Sequence, residues 1–122
     1  MMHPPETAED GVTFDLEKVI AELRGEERYK RDGHVARTLV RTPDLRLVVM
    51  VLRAGASIAE HRASVTTSVH VVQGQIRMNL PDGPVELTEG RLLILAADLP
   101  HDVHADLDSA FLLTLGWNGA EK

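Results

Sequence analysis

From about residue 27 onward, short apolar segments alternate with turn-forming residues at a spacing of about ten, and this rhythm constrains the fold more than any other feature of the chain. The punctuation is Asp32-Gly33, Thr42-Pro43-Asp44, Ala54-Gly55, Gly74, Pro81-Asp82-Gly83-Pro84, Glu89-Gly90 and Ala97-Asp98-Leu99-Pro100. Glycine supplies positive φ, proline presets φ, and Asp bonds to its own backbone, so each cluster reverses the chain for a stated reason. Between them the alternation predicts strands over residues 34–41, 45–53, 66–72, 75–80, 85–87, 92–95, 101–105 and 110–116. Tyr29 to Arg31 is predicted to pair with residues 34–41 as a hairpin closed by Asp32-Gly33. Residues 45–53 are apolar on both faces in the middle, which predicts burial on both sides. Many short strands at this spacing indicate an all-β antiparallel sandwich or barrel.

The segment before this region has a different period. Leu16, Val19, Ile20 and Leu23 fall at i, i+3, i+4 and i+7, which predicts a short helix over residues 13–25 with Asp15 as N-cap, Phe14 as a staple onto Val19, and Gly25 as its stop. So short a helix is not stable alone, and its stripe needs the main body or a second subunit. Residues 1–12, with two prolines and no apolar periodicity, read as a flexible arm, and residues 119–122 as a C-terminal tail. A single domain over residues 26–118 is the expectation at a length of 122.

Nineteen acidic residues against thirteen basic ones give a net charge of −6, which argues against a nucleic-acid binder. No apolar run approaches the ~20 residues of a membrane helix. The first residues, Met1 to Glu6, lack a cationic region feeding an apolar stretch, so a cytoplasmic protein without a membrane partner is expected. The absence of cysteine leaves only His, Asp and Glu as strong metal ligands. With four aromatic residues in all (Phe14, Tyr29, Phe111, Trp117), the core must be built from Val, Leu, Ile, Ala and Met, and the six histidines become the residues to place.

Two stretches resemble the paired motifs of the cupin superfamily, small jelly-roll barrels with a site in the mouth. The first motif runs Gly, five residues, His, one residue, His, a short gap, Glu, six residues, Gly; here Gly55, His61 and Gly74 fall in register. The second runs Gly, five residues, Pro, one residue, Gly, two residues, His, three residues, Asn; here Gly90 and His101 match. Ala96 stands at the proline, Asp98 at the glycine and Ala105 at the asparagine position. The resemblance spans residues 37–117 and implies a double-stranded β-helix, a jelly roll of the RmlC-like, single-domain type, preceded by the short helix. It also implies a homodimer, which the edge strands and the helix stripe independently favour.

The departures bear on chemistry. A metal-binding cupin typically supplies three histidines and one glutamate, whereas this chain has Ala63 and Thr67 at two of those positions and keeps only His61 and His101. Strand parity limits substitutes, because side chains alternate between faces. If His101 points inward, so do Val103 and Ala105, while Asp102 and His104 point away. By the same count Thr67, Val69 and Val71 point inward and His70 outward; Glu60 would need a bulge to turn in. His3 in the arm and His34 after a turn read as solvated.

Ala63 and Thr67 are smaller than the groups they replace, so space opens in the mouth. The leading expectation is a small-molecule site formed by His61, Ala63, Thr67 and His101, with Gln73 or Arg77 as further polar candidates. An alternative is a metal-dependent enzyme of dioxygenase or isomerase type, holding Zn, Ni, Fe or Mn on His61, His101 and a nonstandard third ligand. A third is metal-free acid/base catalysis of the kind found in similar sugar epimerases, which needs an orienting carboxylate such as Asp98 or Asp102. Residues 55–59, Gly-Ala-Ser-Ile-Ala, lack the second glycine of a nucleophile elbow, and no His-Glu-x-x-His, phosphate loop or dinucleotide glycine pattern occurs. The mixed charges of residues 24–32 read as a solvated face.

Overall fold

The computed structural model of the chain describes residues 11–116. The expected arm, apart from its last two residues, and the expected tail, together with His3 and Trp117, lie outside the described residues. Two helices, α1 (Leu16–Arg24) and α2 (Glu27–Asp32), precede nine strands: β1 (His34–Arg41), β2 (Leu45–Leu52), β3 (Ser57–His61), β4 (Thr67–Gln73), β5 (Gln75–Leu80), β6 (Gly83–Thr88), β7 (Leu92–Leu95), β8 (His101–Ala105) and β9 (Ser109–Gly116). They form a five-stranded sheet in the order β1-β2-β9-β4-β7 and a four-stranded sheet in the order β3-β8-β5-β6, with every pairing antiparallel. The chain crosses between sheets repeatedly, which makes a jelly roll. No helix among the described residues is long and apolar enough to cross a membrane.

Period-2 alternation builds the interior. Leu52, Val69, Val71 and Phe111 from the larger sheet meet Ile76, Met78, Val103 and Ala105 from the smaller one, all 2 % exposed or less. The opposite face of the larger sheet forms a second core, in which Val35, Val49, Val51 and Ala110 pack with Ile20, Leu23 and Tyr29 of the helices. Strand β2 is therefore covered on both faces, as its unbroken apolar run predicts. The helix stripe finds its partner in the body of the same chain. Burying Ile20 and Leu23 completely contributes about 1.5–3 kcal/mol each, enough to hold a helix too short to persist alone. Asp15 caps α1 by accepting from the Lys18 amide at 3.2 Å.

Two local expectations differ from the structure. Tyr29 to Arg31 is not a hairpin strand but part of α2, and β1 pairs with β2 alone. Glu, Arg and Lys are good helix formers, and a three-residue alternation is too short to outweigh them. Gly33 still reverses the chain, but as a helix C-cap: at φ +81° its amide donates to the Tyr29 carbonyl at 2.8 Å. The second difference is β3, a strand absent from the predicted set. Its alternation is broken by a bulge, which also places the first histidine of the site.

Candidate functional site in the barrel mouth

His61 and His101 stand directly opposite each other at the ends of β3 and β8. Along this ladder Ile58 pairs with Val103 and His61 with His101, so Ala59 and Glu60 together face the single residue Asp102. That is a bulge with one extra residue on β3. Without it, Ile58 and His61 would point to opposite faces; with it, both line the same interior cavity. The bulge thus turns in the histidine rather than Glu60, which stays exposed.

The second histidine is set by the turn before β8. Asp98 occupies the left-handed region at φ +66°, and its amide donates to the Ala63 carbonyl at 2.7 Å, joining this turn to the segment after β3. Glycine stands at this position in the motif that the sequence resembles, and the left-handed backbone explains why; Asp is among the few other residues that tolerate it. Asp98→Gly should therefore leave the midpoint of urea unfolding unchanged or raised, whereas Asp98→Val should cost about 1–2 kcal/mol.

The two imidazole centroids are 4.3 Å apart with ring planes at 64°. His101 is buried, 6 % exposed, and His61 lies exposed at the rim. Each ring is fixed by its Nδ1: His61 donates to the Ala59 carbonyl at 3.0 Å and His101 to the Leu99 carbonyl at 2.9 Å. A carbonyl only accepts, so the proton is on Nδ1 in both rings, and Nε2 of each neutral ring carries a lone pair. Thr67, 4 % exposed, donates its hydroxyl to the Val65 carbonyl at 3.1 Å.

Burial, and secondarily the neighbouring His61, push the His101 pKa below its ordinary value, outweighing the Leu99 hydrogen bond and Asp102, which act in the opposite sense. The folded state then binds fewer protons than the unfolded chain in the window below about pH 6.5. Stability contributed by neutral His101 is complete above that value and is lost as pH falls through the lowered folded pKa. Urea unfolding of wild type and His101→Gln between pH 7 and pH 5 should show a shallower decline in the variant. Equal slopes would show that His101 carries none of this pH dependence.

Between the sheets, these groups open onto a cavity of about 140 Å³. His61, Ala63, Thr67 and His101 all line it, so the four residues singled out from the sequence share one wall. Sequence reasoning missed the rest of the wall, chiefly Met50, Ile58, Met78, Phe111, Leu113 and Leu115. Parity along β9 already carries the signal, since Phe111, Leu113 and Leu115 alternate onto one face.

Other polar candidates lie elsewhere. Gln73 accepts from Arg24 at 2.9 Å beneath the helices, and Arg77 pairs with Asp106 at 3.7 Å away from the cavity. His104 bonds to Ser57 at 2.8 Å, as parity requires of a residue facing away from His101. Asp102 accepts from Asn79 at 2.6 Å, and backbone carbonyls, not carboxylates, orient both site histidines. Among the described residues, the acid/base reading therefore lacks a carboxylate that orients either histidine.

The same geometry tests the metal. Among the described residues, no group of three or more His, Cys, Asp or Glu side chains is placed to hold an ion. Structural and catalytic sites draw on three or four protein ligands, so His61 and His101 alone leave a divalent metal at least one protein ligand short. No protein-family model matches the sequence, and no curated protein matches it.

Solved structures do match. A cupin 2 conserved barrel domain protein from Leptotrichia buccalis is 27% identical, with a TM-score of 0.70 over 84% of this chain and 47% of its own. This chain has the cupin fold. A conserved protein of unknown function from Streptococcus pyogenes matches this cupin barrel over 98% of both chains, at 24% identity and a TM-score of 0.74. Salicylate 1,2-dioxygenase from Pseudoaminobacter salicylatoxidans, solved with gentisate adducts, is 18% identical with a TM-score of 0.75; the match covers 84% of the cupin barrel chain and 32% of the dioxygenase. A barrel shared with an enzyme and with a protein of unknown function fixes the architecture and leaves the chemistry to the side chains in its mouth.

Proposed function

We propose that the mouth of this cupin barrel is a binding site for a small molecule, with His61, Ala63, Thr67 and His101 in its wall. The supporting observation is the cavity itself: about 140 Å³, walled mainly by apolar side chains, with His61, Thr67 and His101 as its polar side chains. Such a composition is the usual form of a small-ligand site. A cavity of about 150 Å³ lined by similar residues accommodates benzene, so the body of the ligand is about the size of a six-membered ring. Ala63 and Thr67 stand where the family pattern puts larger metal ligands, which ties the space to the substitutions. A thermal-shift screen of small ring compounds and divalent metals against the full chain tests this. Stabilisation by ring compounds is expected; a large shift with metal and none with any ring compound would overturn the reading.

A metal-dependent enzyme of dioxygenase or isomerase type is the second reading, favoured by one observation. Both imidazoles hold their proton on Nδ1 against a carbonyl, the tautomer a ligating histidine needs. Elemental analysis of protein purified without chelators separates the two. Stoichiometric Zn, Ni, Fe or Mn that disappears in His61→Ala and His101→Ala would support the enzyme, and metal-free protein would rule against it.

We also propose that two copies pair through the outer face of β7, where Leu92 and Ile94 are 59 % and 57 % exposed at the sheet edge. Light scattering should give twice the 13.4 kDa chain mass, and a monomer at micromolar concentration would contradict it.

A further inference from the structure

The polar atoms of the cavity wall share one property. His61, Thr67 and His101 are the polar side chains lining the cavity, and each has its donor committed to the backbone carbonyl two residues earlier: Ala59, Val65 and Leu99. What remains on all three is a lone pair: Nε2 on each ring and the oxygen of the Thr67 hydroxyl. The wall accepts hydrogen bonds and offers none from its side chains.

Resting on the small-molecule reading above, we propose that the ligand is an uncharged, ring-sized molecule bearing a hydroxyl group, which donates its hydrogen bond to the site histidines. A carboxylate or phosphate would set its own lone pairs against those of the wall and would leave a charge in an apolar cavity with no cation lining it. A hydrocarbon of the same size would fill the space but leave the Nε2 acceptor of buried His101 unmet, which carries its own penalty. A hydroxyl on the ring satisfies both demands.

The discriminating quantity is the ratio of affinities, because hydrocarbons gain more from leaving water than alcohols do. Phenol, toluene and benzoate are titrated calorimetrically against the wild-type chain, His101→Phe and His61→Phe. Phenylalanine keeps a ring in place and removes the acceptor. Phenol is expected to lose about five- to tenfold in affinity in His101→Phe, the equivalent of one net hydrogen bond, while toluene is unchanged or gains. His61→Phe, at the exposed rim, reads the same ratio if the buried substitution fails to fold. Equal losses for phenol and toluene, or benzoate binding more tightly than phenol, would overturn the proposed ligand class and leave the pocket standing. Failure of phenol and toluene alike to bind wild type would sink the small-molecule reading beneath it. Displacement of phenol by equimolar Zn²⁺ would also overturn the proposal, since it would show the lone pairs serving a cation.

Discussion

Replacing Gly74 by Ala should destabilise the barrel by about 3 kcal/mol or more, a fall in Tm on the order of 10 °C. Gly74 turns the chain from β4 into β5 at φ +84°, which an L side chain adopts only under strain. The larger effect is contact. A Cβ at this position would overlap the Asp108 carbonyl oxygen and Ser109 Oγ and would stand 2.8 Å from Ser109 Cα, so backbone must move. Ser109 has little room to yield. Fully buried, it accepts from the Gln75 amide at 2.9 Å and contacts the Gln75 and Leu107 carbonyls at 3.0 and 2.7 Å. The closing glycine of the first motif is therefore where two turns, each crossing between the sheets, touch. Gly55 separates strain from contact, since it has a similar φ of +88° and nothing within 4 Å of an added Cβ. Gly55→Ala should cost only about 1–2 kcal/mol. Urea unfolding of both variants checks the difference, and equal costs would show that the contact with Ser109 contributes nothing.

The second large effect concerns binding. Ala63 lies in the loop between β3 and β4, half-buried at the cavity wall, and its carbonyl accepts from the Asp98 amide. Ala63→Phe keeps that backbone contact and places an aromatic ring in a space of about ring size. Benzene and phenol should lose at least tenfold in affinity, to the limit of detection, while the unfolding free energy changes by no more than about 1 kcal/mol. Wild-type affinity in the filled variant would place the ligand somewhere other than this cavity.

Much of the barrel is legible in the sequence because its strands are short, alternating and separated by residues with strong turn preferences. Strand β5 and the whole of β7 and β8 follow from that pattern, and parity along β4 and β8 assigns Thr67, Val69, Val71, His101, Val103 and Ala105 to the interior. The pattern fails where local chemistry breaks the period. At β3 the extra residue of the bulge scrambles alternation, so the inward direction of His61 follows from pairing with β8 and not from its own neighbours. At α2 a single apolar residue, Tyr29, gives no periodicity, and the Asp-Gly pair that ends the helix is the same pair that closes hairpins. The motif frame shows which metal ligands are replaced by Ala63 and Thr67. The tautomers of His61 and His101 are not legible, because they depend on carbonyls brought near by the bulge and by the turn around Asp98.

In the proposed function, His61 and His101 border a ring-sized apolar cavity and not an ion. A titration of methyl-labelled full-length protein with benzene, followed by nuclear magnetic resonance, tests it most directly. Saturable shifts are expected, concentrated on the methyl groups of Met50, Ile58, Met78, Leu113 and Leu115, which line the cavity. Benzene without effect on these methyls, while one equivalent of Zn²⁺ shifts them, would contradict it.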